Sequence, residues 1–203
     1  MAQLTNSFFQ KILSIEGGFQ AMPTDSGNYC AGNLIGTKYG MSAVAISAWW
    51  GRCPSQEEVK NLTEQNAMDF YAWYFDRYGL FQVENQQLFE LLANNTMGSP
   101  ANAAKIEQRT LNQFGYSLAV DGQRGPQTIQ AINDAWVKFG PKFYNAVRDA
   151  WVNYLVSLNR PEFIEGWLYR MNKYFPKIAK SSTGISLGIA LLVLYAGYKA
   201  FKA

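Results

Sequence analysis

The stretch NSFFQKILSIEGGF, residues 6–19, has a helical pattern of apolar residues that ends beside the carboxylate of Glu16. Its apolar residues recur at the spacing of one helix face: Phe8, Phe9, Ile12, Leu13 and Ile15. Asn6 or Ser7 can cap the N-terminus, and Gly17-Gly18 ends the pattern directly after Glu16. The stretch therefore predicts an amphipathic helix that presents Glu16 at its C-terminal end.

A polar segment follows this helix, from residue 22 to residue 39. It is rich in Gly, Asn, Ser and Thr and contains one proline, Pro23, which together predict a long loop or an irregular hairpin. Loops of that length inside a compact domain are usually functional. We therefore expect Glu16 and this segment to border a cleft.

Helical patterns dominate the rest of the chain. They begin near Ser42, at Ser55 with a capping-box pattern, and at Thr63, and they continue over about residues 84–96, 100–114, 125–139, 141–158 and 162–175. No long alternating run indicates a large sheet, although a short hairpin fits within residues 22–40. The fold class expected is mainly α, with a possible small β-hairpin.

The C-terminal part of the chain changes composition abruptly. A polar stretch, residues 177–183, precedes an apolar stretch whose first charge is Lys199. Flanking lysines and Tyr195 and Tyr198 are typical of interfacial anchors, so we predict a transmembrane helix over 184–201, preceded by a linker. The alternative is a buried C-terminal core helix. The N-terminus lacks the pattern of a secretory signal, so export by that route is not expected.

Composition excludes several classes of chemistry. The 203 residues include no histidine, which argues against zinc amidases, HExxH peptidases and Cys-His peptidases. The available acid–base groups are therefore carboxylates, and no metal or organic cofactor is expected. The net charge of +3 is too small to indicate a nucleic-acid partner.

Two cysteines, Cys30 and Cys53, are too few for a framework of several disulfides. Whether they pair cannot be read from their positions in the sequence. Two free, partly buried thiols are the preferred interpretation, and a single disulfide is the alternative.

Glu16 and Asp25 are the carboxylates whose positions suit glycosidic chemistry. Burial against apolar neighbours raises the pKa of a carboxyl group, which would suit Glu16 to act as a general acid. Asp25, in the polar segment, would stay ionised and orient a water or stabilise an oxocarbenium-like transition state. Without a further motif the pair is a weak signal, because most carboxylates are simply solvated.

Three short motifs strengthen that signal: EGGF at 16–19, PTDSG at 23–27 and TKYGMS at 37–42. Together they resemble the N-terminal region of glycoside hydrolase family 108, which implies a lysozyme-like helical domain that hydrolyses peptidoglycan with Glu16 as the acid. The order of Glu, Asp and Thr is also similar to that of phage-type lysozymes, where a carboxylate and a hydroxyl hold the attacking water. That likeness implies catalytic roles for Asp25 and Thr37.

The resemblance continues downstream. VDGQRGPQT at 120–128 is similar to a turn of predicted peptidoglycan-binding domains, and GWLYRM at 166–171 resembles the closing segment of the family. Before these two motifs, Glu90 or Asn94 lies near the position where the family usually has an Asp, and Asn112 lies where it usually has a Gln. A tight turn that docks two helices is the preferred interpretation of the 120–128 motif, and direct sugar contact is the alternative.

The resemblance covers nearly all of residues 8–175 and implies how the chain is divided. Residues 1–98 would form the catalytic region, and residues 99–176 a helical peptidoglycan-binding region packed with it as one globular unit. Candidate substrate-binding residues are Tyr39, Trp49 and Asp121. Several aromatic side chains are able to stack on sugars, although most are expected in the core: Tyr29, Tyr39, Trp49, Trp50, Trp73 and Tyr74.

The expected function is that of a muramidase, which cleaves the β-1,4 bond between N-acetylmuramic acid and N-acetylglucosamine. The alternatives are a non-catalytic wall-binding module and a structural membrane protein on a lysozyme-like scaffold. The expected partners are peptidoglycan, a lipid membrane through 184–201, and proteins of a virion or secretion complex, without nucleic acid. The expected location is a membrane, either in a lipid-containing phage particle or the bacterial inner membrane.

Overall fold

The computed structural model describes residues 2–179, which form a mainly helical fold, as the sequence predicts. Its helices in that range are α1 (Asn6–Ile15), α2 (Ala43–Trp50), α3 (Gln56–Lys60), α4 (Glu64–Arg77), α5 (Gln86–Gly98), α6 (Pro100–Gln113), α7 (Pro126–Phe139), α8 (Pro141–Ser157) and α9 (Pro161–Tyr174). Short 3-10 helices lie at Ser26–Asn28 and Leu80–Gln82.

The polar segment after α1 folds into two small antiparallel hairpins, which confirms the predicted hairpin. The strands are β1 (Tyr29–Cys30), β2 (Asn33–Leu34), β3 (Thr37–Lys38) and β4 (Met41–Ser42). Tyr29 pairs with Leu34 in the first hairpin, and Thr37 pairs with Ser42 in the second. A bridge between Gln20 and Thr37 joins the second hairpin to the chain that leaves α1.

Side-chain caps start the helices of the N-terminal half. Capping boxes at Ser55 and Thr63 open α3 and α4, as the sequence pattern predicts for the first of them. The cap of α1 is Thr5, whose hydroxyl accepts a hydrogen bond from the amide of Phe8, so the prediction of Asn6 or Ser7 is wrong by one or two residues. Glu16 is the C-terminal cap residue of α1, with its amide bonded to the carbonyl of Ile12.

Aromatic side chains from three helices form the centre of the N-terminal core. Phe8 of α1 lies 6.3 Å from Phe75 of α4 and 5.8 Å from Phe89 of α5, measured between ring centroids. All three side chains are almost fully buried. Burial of each such side chain contributes about 1.5–3 kcal/mol, so this cluster fixes the position of α1, and with it Glu16.

A buried ion pair fastens the turn between α6 and α7. The guanidinium of Arg124 donates to both carboxylate oxygens of Glu107, at 2.6 Å each, and to the hydroxyl of Thr96 at 2.7 Å. The side chains of Arg124 and Glu107 are only 2% and 1% exposed. Three segments distant in the sequence, the end of α5, the middle of α6 and the 121–125 turn, therefore meet at one guanidinium.

Cys30 and Cys53 form a disulfide, with their Cα atoms 5.7 Å apart. The preferred interpretation of two free thiols is therefore wrong, because folding brings β1 against the chain that links α2 to α3. The closed loop is short, and its closure reduces the conformational freedom of the unfolded chain. The bond holds the first hairpin against α2.

Residues after α9 pack against α8 rather than leaving the surface. The buried guanidinium of Arg148 donates to the carbonyl of Phe175 at 2.7 Å and to the side chain of Asn172 at 2.6 Å. Asn145 bonds both backbone groups of Ile178. The first residues of the predicted 177–183 linker therefore belong to the packed part of the chain.

The predicted membrane anchor is corrected by the structure. Among residues 2–179, no helix has both the length and the apolar character that crossing a membrane requires. The longest of them, α8, has 17 residues and includes charged side chains, whereas a hydrocarbon core takes about 20 apolar residues. The segment named for the anchor, 184–201, lies outside the described residues, so the predicted transmembrane helix and membrane location have no support.

The buried ion pair gives a test of the fold. Replacing Arg124 with Met should lower the free energy of unfolding by about 3–5 kcal/mol, because the Glu107 carboxylate is then buried without a partner. The control is Lys138→Met, which breaks an exposed ion pair with Asp134 and should leave stability nearly unchanged. Urea unfolding followed by circular dichroism measures both variants, and equal stabilities would contradict this account.

Candidate active site

Glu16 lies in the wall of a cavity of about 190 Å³. The cavity is formed where the end of α1 meets the second hairpin, α2, α4 and the end of α5. Its other lining residues are Gly40, Ser42, Ala45, Phe70, Tyr71, Tyr74 and Met97. The lining combines aromatic rings with hydroxyl groups, and it shields the Glu16 carboxyl group only partly from bulk water.

Gly40, in the turn between β3 and β4, packs directly on the Glu16 side chain. Its φ is +74°, a backbone conformation that favours glycine. A Cβ atom at this position would lie 2.6 Å from the Tyr71 hydroxyl and 2.8 Å from Cγ of Glu16. The Tyr71 hydroxyl itself donates to the carbonyl of Tyr39 at 2.8 Å. Only a glycine lets this turn approach the carboxylate so closely.

The surroundings of Glu16 act on its pKa in two opposite directions. Burial raises the pKa of Glu16, and the nearby guanidinium of Arg170 lowers it in part. The closest guanidinium nitrogen of Arg170 lies 3.8 Å from Oε1 of Glu16, whose side chain is 22% exposed. Burial and the Glu16 charge also hold the pKa of Tyr71 well above its usual value, so Tyr71 remains a hydrogen-bond donor.

Asp25 lies in an exposed position at the start of the first 3-10 helix. Its side chain accepts a hydrogen bond from the amide of Gly27 at 2.9 Å. A Cβ atom on Gly27 would lie 3.2 Å from Oδ1 of Asp25 and 3.4 Å from Cβ of Ser42. Ser42 lines the Glu16 cavity, whereas Asp25 itself is not among the lining residues.

Thr37 lies on β3 and is part of a hydrogen-bonded network below the hairpins. Its hydroxyl donates to Oδ1 of Asn28 at 2.6 Å, and Asn28 also exchanges hydrogen bonds with the side chain of Gln20. Asn28 is fully buried. Thr37 is the cross-strand partner of Ser42, so the two side chains project to the same face of the hairpin.

The three predicted substrate-binding residues lie apart from one another. Tyr39 is near Glu16 through its backbone, since its amide donates to the carbonyl of Gly17. Trp49 packs edge-on against Phe70, with 5.7 Å between the ring centroids. Asp121 accepts hydrogen bonds from the side chain of Gln108 and the amide of Gln123, which lower its pKa. Its described contacts are those of a residue that closes a turn.

Two residues at the site were not named as candidates from the sequence. Tyr71 belongs to an aromatic run on α4 whose pattern predicts core packing, and nothing in that run marks its hydroxyl as a neighbour of Glu16. Arg170 belongs to the GWLYRM motif, to which the sequence assigns no role.

The positions that depart from the family pattern have structural partners. Glu90 pairs with Lys11 at 2.7 Å, and the side chain of Asn112 bonds both backbone groups of Leu118.

Comparison with known families identifies the class of protein. Residues 9–95 match the model described as glycosyl hydrolase 108, and residues 102–172 match one described as a predicted peptidoglycan domain. The chain therefore carries a glycosyl hydrolase 108 domain followed by a predicted peptidoglycan domain. It is a glycoside hydrolase that acts on peptidoglycan.

A solved structure is similar over most of the chain. It is titled "Structure of Brucella abortus SagA" and shares 26% sequence identity, with a TM-score of 0.65. The match covers 84% of this chain and 92% of that one. No curated protein matches. These comparisons support peptidoglycan as the partner and provide no support for a membrane, virion or phage association.

Within residues 2–179, no group of three or more His, Cys, Asp or Glu is placed to hold a metal ion.

The close approach of Gly40 gives a test of the site geometry. Gly40→Ala should lower peptidoglycan hydrolysis on the order of 100-fold, because the new methyl group displaces Glu16 or Tyr71. Gly51→Ala is the matched control, since Gly51 has a φ of +71° but nothing within 4 Å of its added Cβ. Both variants carry the same backbone strain, so comparable activities would show that the contact with Glu16 has no catalytic consequence.

Proposed function

We propose that this protein is a muramidase, which hydrolyses the β-1,4 bond between N-acetylmuramic acid and N-acetylglucosamine with Glu16 as general acid. The observation that carries the proposal is the partly buried position of Glu16, which raises its pKa and so shifts it towards the protonated form that a general acid needs. The match to glycosyl hydrolase 108 supports the substrate class, and Glu16 in the cavity is the group proposed to act.

Asp25 is proposed as the second carboxylate. Its exposed side chain contrasts with that of Glu16, and glycosidases divide the roles of acid and ionised partner between two carboxyl groups in different environments. Asp25 lies across Gly27 from Ser42, which lines the Glu16 cavity, and this proximity supports the proposal. There it would orient the attacking water or stabilise positive charge on the sugar ring.

Thr37 is proposed to assist that water. Its hydroxyl proton is given to Asn28, so the lone pairs of the Thr37 oxygen remain as acceptors. Its side chain projects to the same face of the hairpin as that of Ser42, which lines the Glu16 cavity. Tyr39 and Trp49 are proposed to contact sugar from the hairpin and α2 sides of the cleft. Asp121 is proposed to contact substrate from the 121–125 turn.

The decisive test is clearing of purified peptidoglycan by the full chain, wild type beside Glu16→Gln. We expect the variant to lose about 10²–10⁴-fold in rate, since it has no proton to donate, while the wild type releases fragments with reducing muramic-acid ends. Turbidity and mass spectrometry of the fragments measure this. Glu64→Gln, on the exposed start of α4, is the matched control.

Two results would contradict the proposal. One is equal clearing by wild type and Glu16→Gln, which would remove the acid from its role. The other is the absence of clearing by folded wild-type protein that still binds the wall, which would favour the non-catalytic alternative.

The pH dependence provides a second test. Activity should fall as the pH rises through the pKa of Glu16, because the acid then loses its proton. Arg170→Gln removes the charge that lowers this pKa, so the high-pH limb of kcat/KM should move to higher pH. Arg170→Lys keeps the charge and should move the limb less, and Arg109→Gln, exposed on α6, should leave it in place. Identical limbs in all variants would show that Arg170 does not act on Glu16.

A further inference from the structure

One face of α9 runs outward from the active-site carboxylate. Tyr174 and Ser14 of α1 have their hydroxyl oxygens 3.1 Å apart, and Arg170, one turn back along α9, approaches Glu16. Trp167 and Phe163 follow on the same face, since residues three and four apart on a helix are neighbours. Because α-helices rise about 1.5 Å per residue, Phe163 lies about 10 Å along the helix from Arg170.

Trp167 lines a cavity of about 170 Å³ between α5, α8 and α9. The remaining lining is mostly apolar or aromatic: Asn94, Gly98, Trp151, Tyr154, Leu155, Leu158, Arg170 and Met171. Arg170 therefore borders this cavity while it also contacts Glu16. We call this the α8–α9 cavity. It lies beside the catalytic carboxylate and is formed mainly by the C-terminal half of the chain.

Phe163 is an exposed neighbour of Trp167 and is not itself a lining residue of the α8–α9 cavity. Its ring stacks on that of Trp167, with 5.7 Å between centroids and 28° between planes, and the residue is 48% exposed. Two nearly parallel aromatic rings thus lead from the surface to the cavity mouth. Exposure of a large aromatic side chain to water is unfavourable in free energy, and burial against a bound partner would offset this.

The lining favours an N-acetylated sugar over a peptide. The C–H face of a sugar ring packs on flat aromatic rings, and Arg170 offers N–H donors to an acetamide carbonyl. An extended peptide binds through free backbone groups, as at a sheet edge. Here the walls are the sides of α-helices, whose backbone groups are already bonded within each helix.

We propose that the α8–α9 cavity, with Phe163 and Trp167 at its mouth, binds an N-acetylhexosamine ring of the glycan strand adjacent to the bond being cleaved. The C-terminal half of the chain then forms part of the catalytic cleft itself, rather than only holding the wall at a distance. This inference rests on the proposed function, because it takes Glu16 as the point of cleavage.

The experiment measures binding separately from catalysis. The full chain carrying Glu16→Gln is titrated with the tetramer of N-acetylglucosamine, followed by calorimetry. Adding Trp167→Ala or Phe163→Ala should weaken binding about five- to tenfold, through loss of one stacking surface. Adding Tyr169→Ala should change nothing, since Tyr169 is 61% exposed on another face of α9.

In the wild-type background, the same substitutions should raise KM for soluble glycan strands more than they lower kcat. Phe163 is exposed, so its variant keeps the fold even if Trp167→Ala does not, and thermal melting verifies this. The inference is overturned if Phe163→Ala binds the tetramer as tightly as Tyr169→Ala does, or if the stem peptide alone occupies the cavity. Failure of the wild type to clear peptidoglycan would contradict the proposed function instead. The binding titration would still test whether the α8–α9 cavity binds the sugar.

Discussion

The contact on which the rest of the structure depends is the buried pair of Arg124 and Glu107. A charge removed from water is tolerated only with a partner and full hydrogen bonding, and here Thr96 completes the set. The backbone carbonyl of Thr96 also accepts from the hydroxyl of Tyr74, a residue of the Glu16 cavity. The turn at 121–125 is thereby linked, through two side chains, to the wall of the active site.

The two family-matched regions also meet at Glu16. Residues 9–95 contribute Glu16 and the hairpins, while residues 102–172 contribute Arg170 at 3.8 Å from the carboxylate. The predicted division at residues 98 and 99 falls between α5 and α6, and it stays a prediction. The pKa of Glu16 nevertheless depends on both sides of that division, since the charge that lowers it belongs to Arg170.

The hairpins show how glycosidic chemistry is placed on irregular structure. A disulfide at Cys30 and a buried Asn28 hold a segment that has little regular secondary structure, so polar loops remain in a defined place beside Glu16. Because position 40 is a glycine, no side chain there separates the second hairpin from Glu16. Rigid support around a polar loop keeps Glu16 and Asp25 at fixed positions, as the roles proposed for them require.

The sequence by itself determined the helices, the capping box at Ser55 and the place of Glu16 at a helix end, because periodicity, caps and glycine breaks act within a few residues. It also identified the family, through short local motifs. Only the tertiary structure decided that Cys30 meets Cys53, that Arg170 reaches Glu16, and that the side chain of Gln108 donates to Asp121. These depend on how distant elements pack, and no local pattern encodes the distance between two residues that lie 154 positions apart, as Glu16 and Arg170 do.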